Sequence, residues 1–110
     1  MGDRTELMRG TLDLLILRSL ATEARHGLGV SRRIGQITQG AFDVKPGSLF
    51  PALYRLEERG LVASAWGESE TKRKAKFYRL TTLGKKQLQV EEANWHRIVQ
   101  AMSRALEPSS

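Results

Sequence analysis

Within residues 10–20, GTLDLLILRSL, the apolar side chains Leu12, Leu14, Leu15, Ile16, Leu17 and Leu20 surround three polar ones, Asp13, Arg18 and Ser19. A helix with so little polar surface must be mostly buried. Residues 23–27, EARHG, break the pattern and read as a turn. From Leu28 a helical period returns, with Val30, Ile34 and Ile37 on one face and Ser31, Arg32, Arg33 and Gln36 away from it, which predicts a second, shorter helix. Residues 38–47 mix polar residues with Gly40, Pro46 and two apolar anchors, Phe42 and Val44, and form the turn that aims the next element. That element is residues 46–60, PGSLFPALYRLEERG, a short helix with both ends signed. Ser48 is its expected N-cap, Pro51 sits early enough for its missing N–H to cost little, and Gly60 supplies the stop behind Arg55 and Arg59. Leu49, Leu53 and Leu56 recur at helical spacing and face a core, leaving Ser48, Phe50, Pro51, Tyr54, Arg55 and Glu58 on or near the outward side.

After Gly60 the period changes from helical to alternating. Leu61, Ala63 and Ala65 alternate with Val62, Ser64 and Trp66, and Phe77, Arg79 and Thr81 alternate with Tyr78 and Leu80, so two strands are predicted. Residues 67–76, GESETKRKAK, join them, and carry Lys72, Arg73, Lys74 and Lys76 on the descending side. Thr81 or Thr82 caps a last helix running from about Leu83 through Leu106, before Pro108 and two serines. Along it Leu88, Trp95, Ile98, Val99, Met102, Ala105 and Leu106 trace a stripe close to a heptad repeat. Such a stripe either pairs with a second copy of the chain or packs back on residues 12–20. Some of both is expected, because the early part of the helix lies near the core and the later part does not.

Charge narrows the choice of partner. Lys and Arg total 18 against 12 Asp and Glu, a formal net charge of +6, which favours a polyanion over an acidic small molecule. Two readings fit the outward side of residues 46–60: the solvated face of an ordinary amphipathic helix, or a hydroxyl, two rings and a guanidinium shaped for a DNA major groove. The hairpin likewise reads as a solvated loop or as a basic wing beside a reading helix, and its position directly after the helix pair favours the wing. With 110 residues and no cysteine, the expectation is one small domain without disulfides or a cysteine metal site. The longest apolar run, residues 14–17, is far too short to span a bilayer and no signal-peptide core precedes it, so an intracellular, cytoplasmic protein without membrane contact is expected. No nucleotide loop, paired catalytic carboxylates or Ser-His-Asp set stands out, and His26 and His96 cannot close a zinc site by themselves, so no enzyme, metal or cofactor is expected. His26 reads as a turn residue bonding nearby backbone.

Four segments in register resemble the PadR family of bacterial winged helix-turn-helix transcriptional regulators, over about residues 8–88. GTLDLLIL resembles the family's first-helix signature, HGLGVSRRI its HGYGI segment, PGSLFPALYRLEERGLV its recognition-helix consensus, and WGESETKRKAKFYRLTTLGKKQL its wing and the start of its last helix. Leu28 and Phe50 depart from tyrosines usual in the family, so each lacks a phenol hydroxyl. The resemblance implies a mainly α fold with a small β hairpin: a winged helix-turn-helix domain, residues 1–82, and a C-terminal dimerisation helix with a short tail, residues 83–110. It implies a homodimeric repressor on an imperfect inverted repeat of double-stranded DNA, relieved in some members by a small effector. Recognition then falls to Ser48, Phe50, Pro51, Tyr54 and Arg55, wing contacts to Lys72, Arg73, Lys74 and Lys76, phosphate contacts to Arg32 and Arg33, and dimerisation to Leu88, Trp95, Ile98, Val99, Met102 and Leu106. Tyr78 matches a tyrosine common in the second wing strand, where core packing is expected. Trp95 either packs in the seam or flanks a flat aromatic or hydrophobic effector, as a tryptophan does in some multidrug-sensing relatives. The competing class is a winged-helix module for protein contact without DNA; four cations in so short a run argue against it.

Overall fold

Residues 2–108 of the backbone, and side chains from residue 10 onward, are described in a computed structural model of the chain. The apolar first segment is helix α1 (Gly2–Ser19), which begins earlier than the apolar run that predicted it. Two residues, β1 (Arg25–His26), lead into α2 (Gly27–Ile37) and then α3 (Pro46–Glu58). Strands β2 (Val62–Glu68) and β3 (Lys74–Leu80) follow, and α4 (Thr82–Ala105) is the last element. The sheet is antiparallel with order β1-β3-β2, so the predicted hairpin gains a third strand, with Arg25 opposite Tyr78 and His26 opposite Phe77.

One core joins every helix to the sheet. Ile16, Leu17 and Leu20 of α1 and just after it, Val30 and Ile34 of α2, and Leu49, Ala52, Leu53 and Leu56 of α3 meet Leu61, Val62, Tyr78, Leu80 and Leu88. Tyr78 is buried, as expected of a packing residue. Val44 packs against this core, whereas Phe42 is largely exposed and does not anchor the turn. Ser19, fully buried, satisfies its hydroxyl by donating to the Ile16 carbonyl at 2.7 Å.

The exit of α3 positions all that follows. Gly60, at φ +74°, takes the left-handed conformation that an L side chain resists; its amide donates to Glu57 O at 3.0 Å and the next amide, of Leu61, to Leu56 O at 3.0 Å. Leu56 and Leu61, the pair whose apolar contact commonly accompanies this motif, are both buried in the core. The start of α4 docks on this turn. Thr81 donates its hydroxyl to Gly60 O at 2.6 Å and accepts from Gly84 N at 2.9 Å, capping α4 as expected. A Cβ on Gly84 would lie 1.9 Å from Leu61 O, so only glycine permits this approach. No helix among the described residues is long and apolar enough to cross a membrane.

Candidate nucleic-acid interface

The N-cap of α3 is Lys45 rather than Ser48, and Pro46 takes the first helical position. Starting the helix three residues earlier changes the meaning of two residues. Ser48 lies exposed in the first turn and is not the cap, and Pro51 is the sixth helical residue, so its absent N–H leaves the Gly47 carbonyl without its i+4 donor. Phe50, Pro51 and Tyr54 are exposed on the outward face, Tyr54 at 63%. The Phe50 ring is shelved on α2: a Cβ at Gly27 would sit 2.6 Å from its edge, so the glycine before Leu28 makes room for it. His26 caps α2 by accepting from Gly29 N at 3.1 Å and packs edge-on to Phe77, ring centres 5.5 Å apart, consistent with the expected turn role.

Arg55 is not on the outward face. Its guanidinium turns toward α1, where Nη2 meets Asp13 Oδ1 at 3.3 Å and both side chains are partly buried. One residue on from Tyr54 is about 100° round the helix, which carries Arg55 from the exposed face to the flank that α1 covers. Asp13, set in the apolar first helix, is thereby paired across the α1–α3 contact.

In the hairpin the strands run further than predicted, so the tip is residues 69–73 alone. Ser69 builds it, donating its amide to Arg73 O at 2.9 Å and accepting from Lys72 N at 2.9 Å, with Lys72 at φ +61°. Lys72 and Arg73 are exposed at the tip, and Lys74 is exposed as the first residue of β3. Lys76 lies within β3 rather than in a loop, and faces Glu57 of α3 at 3.8 Å. Residues opposite one another in an antiparallel pair share a face. Val62, Ser64 and Trp66 therefore share theirs with Leu80, Tyr78 and Lys76, the face whose inner end is core. Trp66, 68% exposed, continues that face beyond the core beside Lys76. The alternation of β2 put Trp66 on the face of Val62, but sequence alone could not show that the core ends before it. Arg32, which is exposed, and Arg33, which donates to Gln36 at 3.3 Å, line an open cleft with Phe77, Glu68 and Glu70 of the hairpin.

The stripe on α4 divides. Leu88 is only 7% exposed and belongs to the core, so it is not available to a second chain; its place in the heptad continues a face that is covered here by the domain itself. Trp95, Ile98, Val99, Met102 and Leu106 are exposed. Arg18 of α1 reaches Glu92 of α4 at 3.8 Å, and further along α4 Trp95 and Ile98 border an open pocket with Gly10, Thr11 and Leu14 of α1.

Comparison with known proteins agrees with this geometry. Residues 16–90 match the family described as Transcriptional regulator PadR-like family. A protein of Lysinibacillus sphaericus called uncharacterised is 30% identical over 104 residues, covering 94% of this chain and 95% of that protein. Among solved structures, a transcriptional regulator from Clostridium thermocellum superposes with a TM-score of 0.82 at 26% identity, over 93% of this chain and 96% of that one. A PadR family transcriptional regulator from Eggerthella lenta gives a TM-score of 0.76 at 31% identity, over 97% and 91%. With a winged helix-turn-helix fold and a family match across most of its length, the chain belongs to the PadR-like family of transcriptional regulators.

Proposed function

We propose that the chain is a cytoplasmic repressor that binds an inverted-repeat operator as a homodimer, with residues 1–82 as the DNA-binding unit and residues 83–110 as the dimerisation helix and tail. Regulators of its family bind DNA. One juxtaposition carries the reading: the exposed side of α3, with Ser48, Phe50, Pro51 and Tyr54, stands beside a hairpin whose tip bears Lys72, Arg73 and Lys74. A helix with small and aromatic groups at its start suits base edges and the thymine methyl in a major groove, while cations on an adjoining wing suit phosphates. Arg32 and Arg33 contact flanking phosphates. Arg55 and Lys76 act from behind, through Asp13 and Glu57.

The exposed stripe Trp95, Ile98, Val99, Met102 and Leu106 forms the seam between protomers. A small flat aromatic effector stacks on Trp95 at the pocket it shares with α1, and relieves repression by changing how the two long helices meet.

Titration of a random-sequence duplex at rising salt tests the DNA-binding surface without knowledge of the operator. Affinity should fall steeply with salt, and neutralising Lys72, Arg73 and Lys74 together should flatten that slope by about one unit per lost phosphate contact per protomer. An unchanged slope removes the wing from the interface; failure to bind duplex at low salt contradicts the proposal as a whole.

A further inference from the structure

Glu57 lies one turn beyond Tyr54 on α3 and touches both strands of the hairpin. Its Oε2 accepts from the Ser64 hydroxyl of β2 at 2.5 Å, and its Oε1 faces the Lys76 ammonium of β3 at 3.8 Å. In the ladder Ser64 pairs with the buried Tyr78, and Trp66 with Lys76. The carboxylate thus grips the hairpin at the register step where the core gives out, with the exposed Trp66 just beyond. We infer that Glu57 is a specificity-determining positioning residue, which sets the angle of the wing to α3 and so the alignment of the tip cations with the bases that α3 reads. The inference rests on the proposed DNA-binding function.

Leverage gives the clamp its effect. The tip residue Lys72 is four residues past Lys76, roughly 13 Å at strand rise, so a pivot of about 10° at the clamp displaces it by roughly 2 Å. A hydrogen bond to a phosphate tolerates only about 0.5 Å in donor–acceptor distance. Tip contacts and α3 contacts can therefore be made together only if the pivot is held. As a direct DNA contact a carboxylate would oppose binding, since it repels the polyanion that the wing attracts. The two roles predict opposite signs. If Glu57 acts only through its charge, removing it tightens binding to every duplex. If it positions the wing, removing it weakens operator binding while random-duplex binding stays level or tightens, because Lys76 is released to meet a phosphate.

The test uses the full chain, the duplex it selects from random DNA, and a scrambled duplex. Glu57→Ala should lower affinity for the selected duplex at least tenfold and leave the scrambled one no weaker, with a salt slope there steeper by up to about one unit per protomer. Glu57→Gln keeps an acceptor for Ser64 and should lose less. In the free protein, amide hydrogen exchange should quicken in residues 62–68 and 74–80 while the core amides of α1 and α2 keep their protection. Should Glu57→Ala not fold, Ser64→Ala, which removes one hydroxyl, carries the same comparison. Equal losses on both duplexes, unchanged affinity, or tighter operator binding would each overturn the positioning role. A wild type that selects no duplex would instead overturn the proposed function itself, and the inference with it.

Discussion

Tyr54 and Arg55 are chain neighbours with opposite surroundings. The tyrosine is mostly exposed on the outward face of α3, and the arginine is turned inward to Asp13 of α1. Tyr54→Ala should therefore cost about 1–3 kcal/mol of binding to the operator with little change on random duplexes, as loss of a base contact does. Competition titration of the two duplexes measures this, and equal losses would mean that Tyr54 only positions the protein. Arg55 was legible as a cation near the end of a helix but not as an internal partner, because it lies at the border between the faces that Leu49, Leu53 and Leu56 define. The clue was Asp13: a carboxylate among so many leucines needs a cation, and the sequence offers several without saying which. Ser48 misled in another way. It is a good N-cap by chemistry, yet Pro46, pre-set for a first helical position, starts the helix earlier.

At the scale of elements, the helices α2, α3 and α4 and the hairpin were readable because each has a clear period. The two-residue β1 was not, since two residues cannot show alternation, and it exists because β3 offers an edge for Arg25 and His26 to pair with. The strands of the wing outrun their predicted ends for a related reason: one face of the outer ladder holds only Gly67 and Ala75 and the other Glu68, Lys74 and Lys76, so the alternation of large apolar with polar residues fades while the ladder continues to Glu68 and Lys74. On α4 the heptad runs unbroken through the point where the core ends, so periodicity assigned Leu88 to the same seam as Ile98. Burial separates them. Leu88→Ala should destabilise the domain by about 2–5 kcal/mol, seen as a lower denaturation midpoint, and leave self-association intact. A loss of association without a loss of stability would put Leu88 back in the seam.

The whole molecule measures 57 × 28 × 27 Å with a Cα radius of gyration of 15.5 Å, against about 13 Å for a compact chain of this length. The excess is consistent with the outer turns of α4, whose apolar residues remain exposed. A contiguous apolar face on a small protein is unfavourable in water, and pairing across a two-fold axis would cover it while fixing the distance between the two copies of α3. Replacing Ile98 and Met102 with Glu puts four charges into that seam. Sedimentation should then show a dimer for the wild type at tens of micromolar and a folded monomer for the variant, whose operator affinity falls because each half-site is bound without linkage to the other. A monomeric wild type, or a variant that still dimerises and binds fully, would separate α4 from assembly. Selection of bound duplexes from random DNA puts the most direct question to a dimer that reads with two copies of α3. It should enrich an inverted repeat with half-sites about one helical turn, roughly 10 bp, or a multiple of it apart; enrichment of a single unrepeated site, or of none, would contradict it.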